Sequence, residues 1–151
     1  MGFSAILDNG ILATGAIAWL ISQAIKTVIH LILNRRLVWE RLVGDGGMPS
    51  SHSATVTAVA AATGMACGFD SPLFALACVL AAIVMHDAMG VRQETGKQAK
   101  AINNMMEMFA HLGAPGMTPE EQLKEFVGHT PLQVAMGFLL GLTVAAVRAL
   151  V

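Results

Sequence analysis

Charge is what this sequence has least of. Lysine, arginine, aspartate and glutamate make up 13% of its 151 residues, against roughly 25% in an average soluble protein. Apolar residues make up 55% and the mean hydropathy is +0.64. That balance excludes an ordinary water-soluble globule and predicts an integral membrane protein. An excess of either sign is also missing: 9 basic against 10 acidic residues leave a net charge of −1, so nothing argues for nucleic acid as a partner. Cysteine occurs only as Cys67 and Cys78, each inside an apolar stretch; buried thiols are expected, with neither a disulfide nor a metal site. No basic segment precedes a short apolar core at the start, so no cleavable signal peptide is expected. Position six is Ile6, where a myristoylation site has Ser or Thr. The internal repeats that build many transporters are absent too.

What is present is a set of apolar runs. A membrane-crossing helix needs about 20 mostly apolar residues. The candidates are Ile11–Leu33, interrupted by Gln23, Lys26 and His30; Ser53–Phe69, uncharged and rich in Ala and Thr; Leu73–Gly90, charge-free until His86 and Asp87; and Pro131–Val151, with Arg148 close enough to the end to snorkel. The residues before Ile11 read as an interfacial lead-in. Phe69–Pro72 reads as a tight turn in which Asp70 or Ser71 caps the next helix. Residues 91–128 are polar. Within them Ile102, Met105, Met106 and Phe109 recur at helical spacing and predict an amphipathic helix on the membrane or the bundle, its methionines packing rather than ligating. Thr118-Pro119-Glu120-Glu121 reads as a capping box opening a second short helix that ends at Gly128. The expected fold is an all-α, polytopic membrane bundle: about four transmembrane helices plus short amphipathic helices in the 91–128 loop. The whole chain, 1–151, forms one membrane-embedded domain.

Four spans place the loops 34–52 and 91–128 on one side. Those loops hold Arg35, Arg36, Arg41, Arg92, Lys97, Lys100 and Lys124, seven of the 9 basic residues. The positive-inside rule makes that side cytoplasmic and turns both termini outward. The expected location is therefore the cell membrane, crossed several times.

The polar residues gather at the same level. Lys26 and His30 lie four apart near the end of the first span, with Ser22 and Gln23 extending the stripe inward; Ser50, Ser51 and His52 open the second; His86, Asp87 and Arg92 close the third; His129 opens the fourth, with Gln133 one turn on. In Gly46–Ser53, GGMPSSHS, the glycines permit a sharp turn, Pro49 suits a first helical turn, and Ser50 or Ser51 can cap it. The first amides of that helix favour an anion. Lys26, Arg35 and Arg92 are cations within reach of that side, and a lysine inside a span is costly unless it is paired or functional. Each feature alone has a plainer meaning: a cap, a hydrogen-bonded structural histidine, arginines on lipid headgroups, a solvated His111. Together they suit a phosphate group, and two histidines suit its transfer.

Met48–Ala54 (MPSSHSA), His86–Ala99 (HDAMGVRQETGKQA) and Gly128–Gly137 (GHTPLQVAMG) resemble the divergent branch of the type 2 phosphatidic acid phosphatase family, relatives of bacterial acid phosphatases and vanadium haloperoxidases. The similarity runs from about Gln23 to the C-terminus. It implies a helical phosphatase needing no metal or other cofactor and acting through a phosphohistidine on a phosphorylated lipid such as phosphatidate, phosphatidylglycerophosphate or a polyprenyl diphosphate. On this resemblance His129 is the nucleophile and His52 the general acid, while Lys26, Arg35, Ser50, Ser51 and Arg92 hold the phosphate. The sequence departs from the family where Ser51 replaces the glycine of PSGH, where the Lys26–Arg35 spacing is eight with no proline after it, and where Gln133 replaces the aspartate that orients the nucleophile. Gln133 can orient but carries no charge, so Asp87 is the candidate acid in its place; otherwise the protein is a weak or inactive phospholipid-binding scaffold. The main family has six helices in its membrane members, so with four spans a homodimer would complete the groove.

Overall fold

The computed structural model describes residues 4–35, 47–113, 118, 121–125 and 127–150. These form six helices and, among the described residues, no strand. They are α1 (Ser4–Leu7), α2 (Gly10–Asn34), α3 (Ser51–Cys67), α4 (Pro72–Met89), α5 (Val91–His111) and α6 (Pro131–Leu150). Arg36, Arg41, Gly46, Pro119 and Glu120 lie outside the described residues.

Local chemistry sets the helix starts. Asn9 caps α2, its side chain accepting from the Ile11 and Leu12 amides at 3.0 and 3.1 Å. Ser50 caps α3 and accepts from the Ser53 amide at 3.4 Å, so Pro49 stands just before the cap rather than in the first turn. Of the two residues open for α4, Ser71 is the cap: it accepts from the Phe74 amide, with Pro72 at the first helical position. Gly47 takes φ +84, the left-handed region that suits glycine in the turn before α3.

Among the described residues, three helices are long and apolar enough to cross a membrane: α2, the stretch containing α4, and α6. The fourth expected span is α3, whose 17 residues reach about 26 Å, slightly short of a hydrocarbon core of about 30 Å. It packs against α2, α4 and α6. Enclosure explains its composition, since a helix wrapped by neighbours has no need of bulky lipid-facing side chains. Its inner face is Ala54 and Ala58, which join Ala18 of α2 and Val144 of α6 in a buried cluster flanked by Ile17 and Leu140. Small residues let the backbones approach, the usual way membrane helices associate without a hydrophobic drive between them. The tightest contact is α3 with α6. A Cβ on Gly137 would run into the Ser50 carbonyl oxygen, and one on Gly141 into that of Ala54.

The outer surface is apolar. Leu73, Leu76, Val79, Leu80 and Ile83 of α4 are all exposed, as are Leu20, Ile32 and Leu33 of α2. For a bundle with spanning helices that surface faces lipid. Cys67 and Cys78, expected to be buried, are exposed and free. Both sit on helix faces turned away from the packed interior. Hydroxyls in the helices are mostly satisfied by back-bonding, as in Thr27 to Gln23 O and Thr55 to Ser51 O, each at 2.8 Å.

The 91–128 region differs from expectation. The amphipathic helix begins at Val91, directly after a break at Gly90, and runs 21 residues to His111. The second short helix does not form over the described residues. The capping-box bond exists, Thr118 N to Glu121 Oε2 at 2.8 Å, but residues 122–125 run on without helical structure. The reason is a competing partner. Asn103 of α5 receives the Leu123 amide at 3.1 Å, and its Nδ2 donates to Leu123 O and Glu125 Oε1, both at 2.9 Å. Gly96 lies directly against the Glu125 and Val127 carbonyls. This strap, bound along the buried Gly96–Ala99–Asn103 face of α5, carries the chain to His129.

Candidate functional site

Alternating helix directions bring the end of α2, the start of α3, the end of α4 and the start of α6 together, and named bonds fix them there. The Ser50 amide donates to Gln133 O at 2.9 Å, and the His129 amide donates to Ala88 O at 2.9 Å. Lys26 Nζ donates to Ser51 Oγ at 3.0 Å across α2 and α3. Lys26 is only 6% exposed and His129 only 2%. The rings of His52 and His129 stand 6.0 Å apart, centroid to centroid, tilted by 60°. All of this occurs within one chain.

One ring nitrogen of His129 faces an acceptor. Gln133 Oε1 accepts from the Thr130 amide at 3.0 Å, which fixes which end of the side-chain amide is oxygen. The same oxygen lies 3.2 Å from His129 Nδ1, so Nδ1 is the ring nitrogen placed to donate. Thr130 in turn receives the Gln133 amide on Oγ1 at 3.3 Å. Thr130-Pro131-Leu132-Gln133 is therefore a reciprocal capping box for α6, and its glutamine also orients the histidine.

The proposed replacement acid does not take that place. Asp87 Oδ2 accepts from Arg92 Nε at 3.0 Å, and the group against His129 Nδ1 is Gln133. Ser51 shares its hydroxyl with Lys26, whereas Ser50 is fully buried and its hydroxyl is used in the cap. Arg35 is the exposed C-cap of α2, at φ 51, and is not among the residues that line the cleft beside His129. Beneath the site, Gln23 Oε1, Ser53 Oγ and Thr57 Oγ1 are buried without a hydrogen-bond partner among the described residues.

That cleft, about 520 Å³, opens next to His129 and Gln133 and is lined also by Gly47, Gly128, Thr130, Gln93, Lys97, Lys100 and Glu125. Gly128 takes φ +94, and a Cβ there would strike Gln93 N, so the strap reaches His129 only with glycine at that point. In the sequence Lys97 and Lys100 are topology markers alone. The signal that points to them is helical spacing: Gln93, Lys97 and Lys100 fall on one face of α5, directly after Arg92. At the other end of the bundle a second hollow of about 500 Å³ is lined by Asn9, Thr14, Met65 and Arg148 among mainly small residues.

Comparison with known proteins supplies a family and a relative. An uncharacterised membrane protein of Bacillus subtilis (strain 168), YuiD, is 38% identical over 152 residues, covering 95% of this chain and 96% of the relative. No solved structure matches the chain. Residues 7–144 match the Divergent PAP2 family, and the chain is a membrane protein belonging to that family.

Proposed function

We propose that the protein is an integral membrane lipid phosphatase that cleaves a phosphomonoester or diphosphate headgroup through a phosphohistidine, without a metal, at the cytoplasmic face. The observation that carries this reading is the approach of His52 to His129, 6.0 Å between ring centroids, with Nδ1 of the buried His129 set against Gln133 Oε1.

His129 Nε2 attacks phosphorus, the N–P bond forms, and the bond to the lipid oxygen breaks. His52 delivers a proton to that departing oxygen. Water then attacks the phosphohistidine and releases inorganic phosphate, His52 taking the proton back. Lys26, fixed on Ser51, offsets the phosphoryl charge from the buried side, and Arg92, braced by Asp87, adds a second cation at the same end of the bundle. Arg35, on the exposed end of α2, meets headgroups at the membrane surface. The cytoplasmic assignment follows from charge. Lys26, Arg35, Arg92, Lys97, Lys100 and Lys124 lie at the histidine end of the chain's spans or in its loops, and Arg148 lines the hollow at the other end.

One observation favours a second reading. Gln133 orients His129 but adds no negative charge to support its cationic form, which permits a phospholipid-binding protein with little or no turnover. Phosphate release by detergent-purified protein in excess chelator, across a panel of lipid mono- and diphosphates, separates the two. The phosphatase reading expects vanadate-sensitive release that is lost in both His52→Ala and His129→Ala. Binding without release across the panel favours the scaffold.

A further inference from the structure

The hollow at the end of the bundle away from His129, about 500 Å³, lies where α2 begins and where α3 and α6 end. Gly10 and Thr14 of α2, Ala62 and Ala66 of α3, and Ala145 and Ala149 of α6 form its walls. The apolar residues beside these positions, Leu12, Met65, Val147 and Leu150, are exposed on the lipid-facing surface. A depression in such a surface is filled by the medium it meets, which around a spanning bundle is lipid. The polar groups of the walls are mostly engaged. Thr14 Oγ1 donates to Gly10 O at 2.7 Å, and Asn9 Oδ1 accepts from the Ile11 and Leu12 amides. Arg148 differs. It stands in the last turn of α6, lines the hollow, and makes no ion pair among the described residues. No acid is among the lining residues, so the walls carry the single positive charge of Arg148; Asp8, the nearest acid in sequence, precedes Asn9 and is not part of them. Snorkelling and the dipole of α6 account for an arginine in this turn, but neither calls for a hollow beside it.

From this charge and this shape we infer that the hollow binds one anionic phospholipid of the leaflet opposite the histidines, its phosphate on the Arg148 guanidinium and an acyl chain against the alanine walls. The guanidinium fork matches the paired oxygens of a phosphate. A phosphatidylcholine brings the same phosphate, but its choline cation meets Arg148 with no carboxylate in the walls to receive it. A headgroup with net negative charge is therefore preferred. The bound lipid bridges α2, α3 and α6 at the end where α3, with 17 residues the shortest of the four spans, stops. Because it binds the folded bundle, it stabilises that bundle by mass action. The site is separate from His129 and needs no phosphoryl chemistry.

The test titrates the full chain in detergent with dioleoylphosphatidylglycerol, dioleoylphosphatidylcholine and glycerophosphoglycerol, the first lipid's headgroup without its chains, and reads bound ligand by native mass spectrometry. Wild-type protein is expected to bind phosphatidylglycerol about fivefold more tightly than phosphatidylcholine, the size of one well-placed exposed ion pair. The chain-free headgroup is expected to bind about tenfold more weakly than its lipid, or worse, since it buries no apolar surface. The preference between the two lipids falls below about twofold in Arg148→Gln and stays above that in Arg148→Lys, which keeps the charge but not the fork. Ala66→Leu/Ala149→Leu places side chains at two exposed wall positions and weakens phosphatidylglycerol binding about fivefold by filling the hollow; Ala66→Leu alone acts in the same direction and serves if the pair does not fold. Lys97→Gln/Lys100→Gln, at the histidine end, leaves the preference intact. Equal binding of the two lipids, a preference that persists in Arg148→Gln or is lost in Lys97→Gln/Lys100→Gln, a chain-free headgroup that binds as tightly as its lipid, or hollow-filling variants that bind like wild type would overturn the site. None of these readings involves phosphate release, so the site stands or falls apart from the phosphatase reading.

Discussion

At the scale of residues, the site turns on Gln133. A charged carboxylate one turn after the nucleophile would both orient an imidazole and stabilise its cation; Gln133 does the first through Oε1, at 3.2 Å from His129 Nδ1. The isosteric change Gln133→Glu keeps the capping box, places a negative charge at the start of α6 where it is favourable, and puts that charge against His129 Nδ1. Phosphate release is expected to stay at or above the wild-type rate in Gln133→Glu and to fall by about 10²-fold in Gln133→Leu, which removes the acceptor against Nδ1. Equal rates in the two variants would show that Gln133 serves α6 alone. Lys26, Ser51, His52, His129 and Gln133 were legible in the sequence because each sits at a fixed offset from a helix end. The partnership of Asp87 with Arg92 was not, since an acid near a histidine in sequence order says nothing about which cation it meets. Lys97 and Lys100 read in the sequence as topology markers only, because a lysine on a polar helix normally reads as solvation.

At the scale of elements, the interface of α3 with α6 sets the geometry, since it holds Ser50 against Gln133. Gly137→Leu forces a side chain into the Ser50 carbonyl and is expected to lower stability by about 1–3 kcal/mol or more, seen as earlier thermal unfolding in detergent. Thr57→Val acts oppositely. The Thr57 hydroxyl is buried with no partner among the described residues, so replacing it with a methyl group of the same shape is expected to leave stability unchanged or raise it by about 1 kcal/mol. A loss of stability on Thr57→Val would mean that the hydroxyl has a structural role. The helices and most of their caps were legible from apolar run length and from Asn, Ser and Pro at the starts. The path of Leu123 and Glu125 is not legible in the sequence because a capping box is a local signal, whereas the Asn103 side chain that holds them comes from 20 residues away. Asn103→Ala is expected to speed hydrogen exchange at Leu123 and its neighbours while leaving α2, α3 and α6 protected.

At the scale of the whole molecule, alternating helices carry every catalytic candidate to one end and leave an apolar surface around the middle. The span count shows how hydropathy reads a bundle. Helices in contact with lipid announce themselves, while α3, enclosed by three neighbours, has Ala, Ser and Thr in place of leucine and falls just short in length. The proposed orientation rests on basic residues and is checked in a Cys67→Ala/Cys78→Ala background: an impermeant maleimide is expected to label Asp70→Cys in intact cells and Lys97→Cys only after permeabilisation. The claim on which all of this depends is phosphoryl transfer to His129. Rapid quenching of purified protein turning over a radiolabelled lipid phosphate is predicted to yield an acid-labile, base-stable label on the peptide containing His129, absent from His129→Ala. Phosphate release that proceeds undiminished in His129→Ala, or label carried by any other residue, would contradict it.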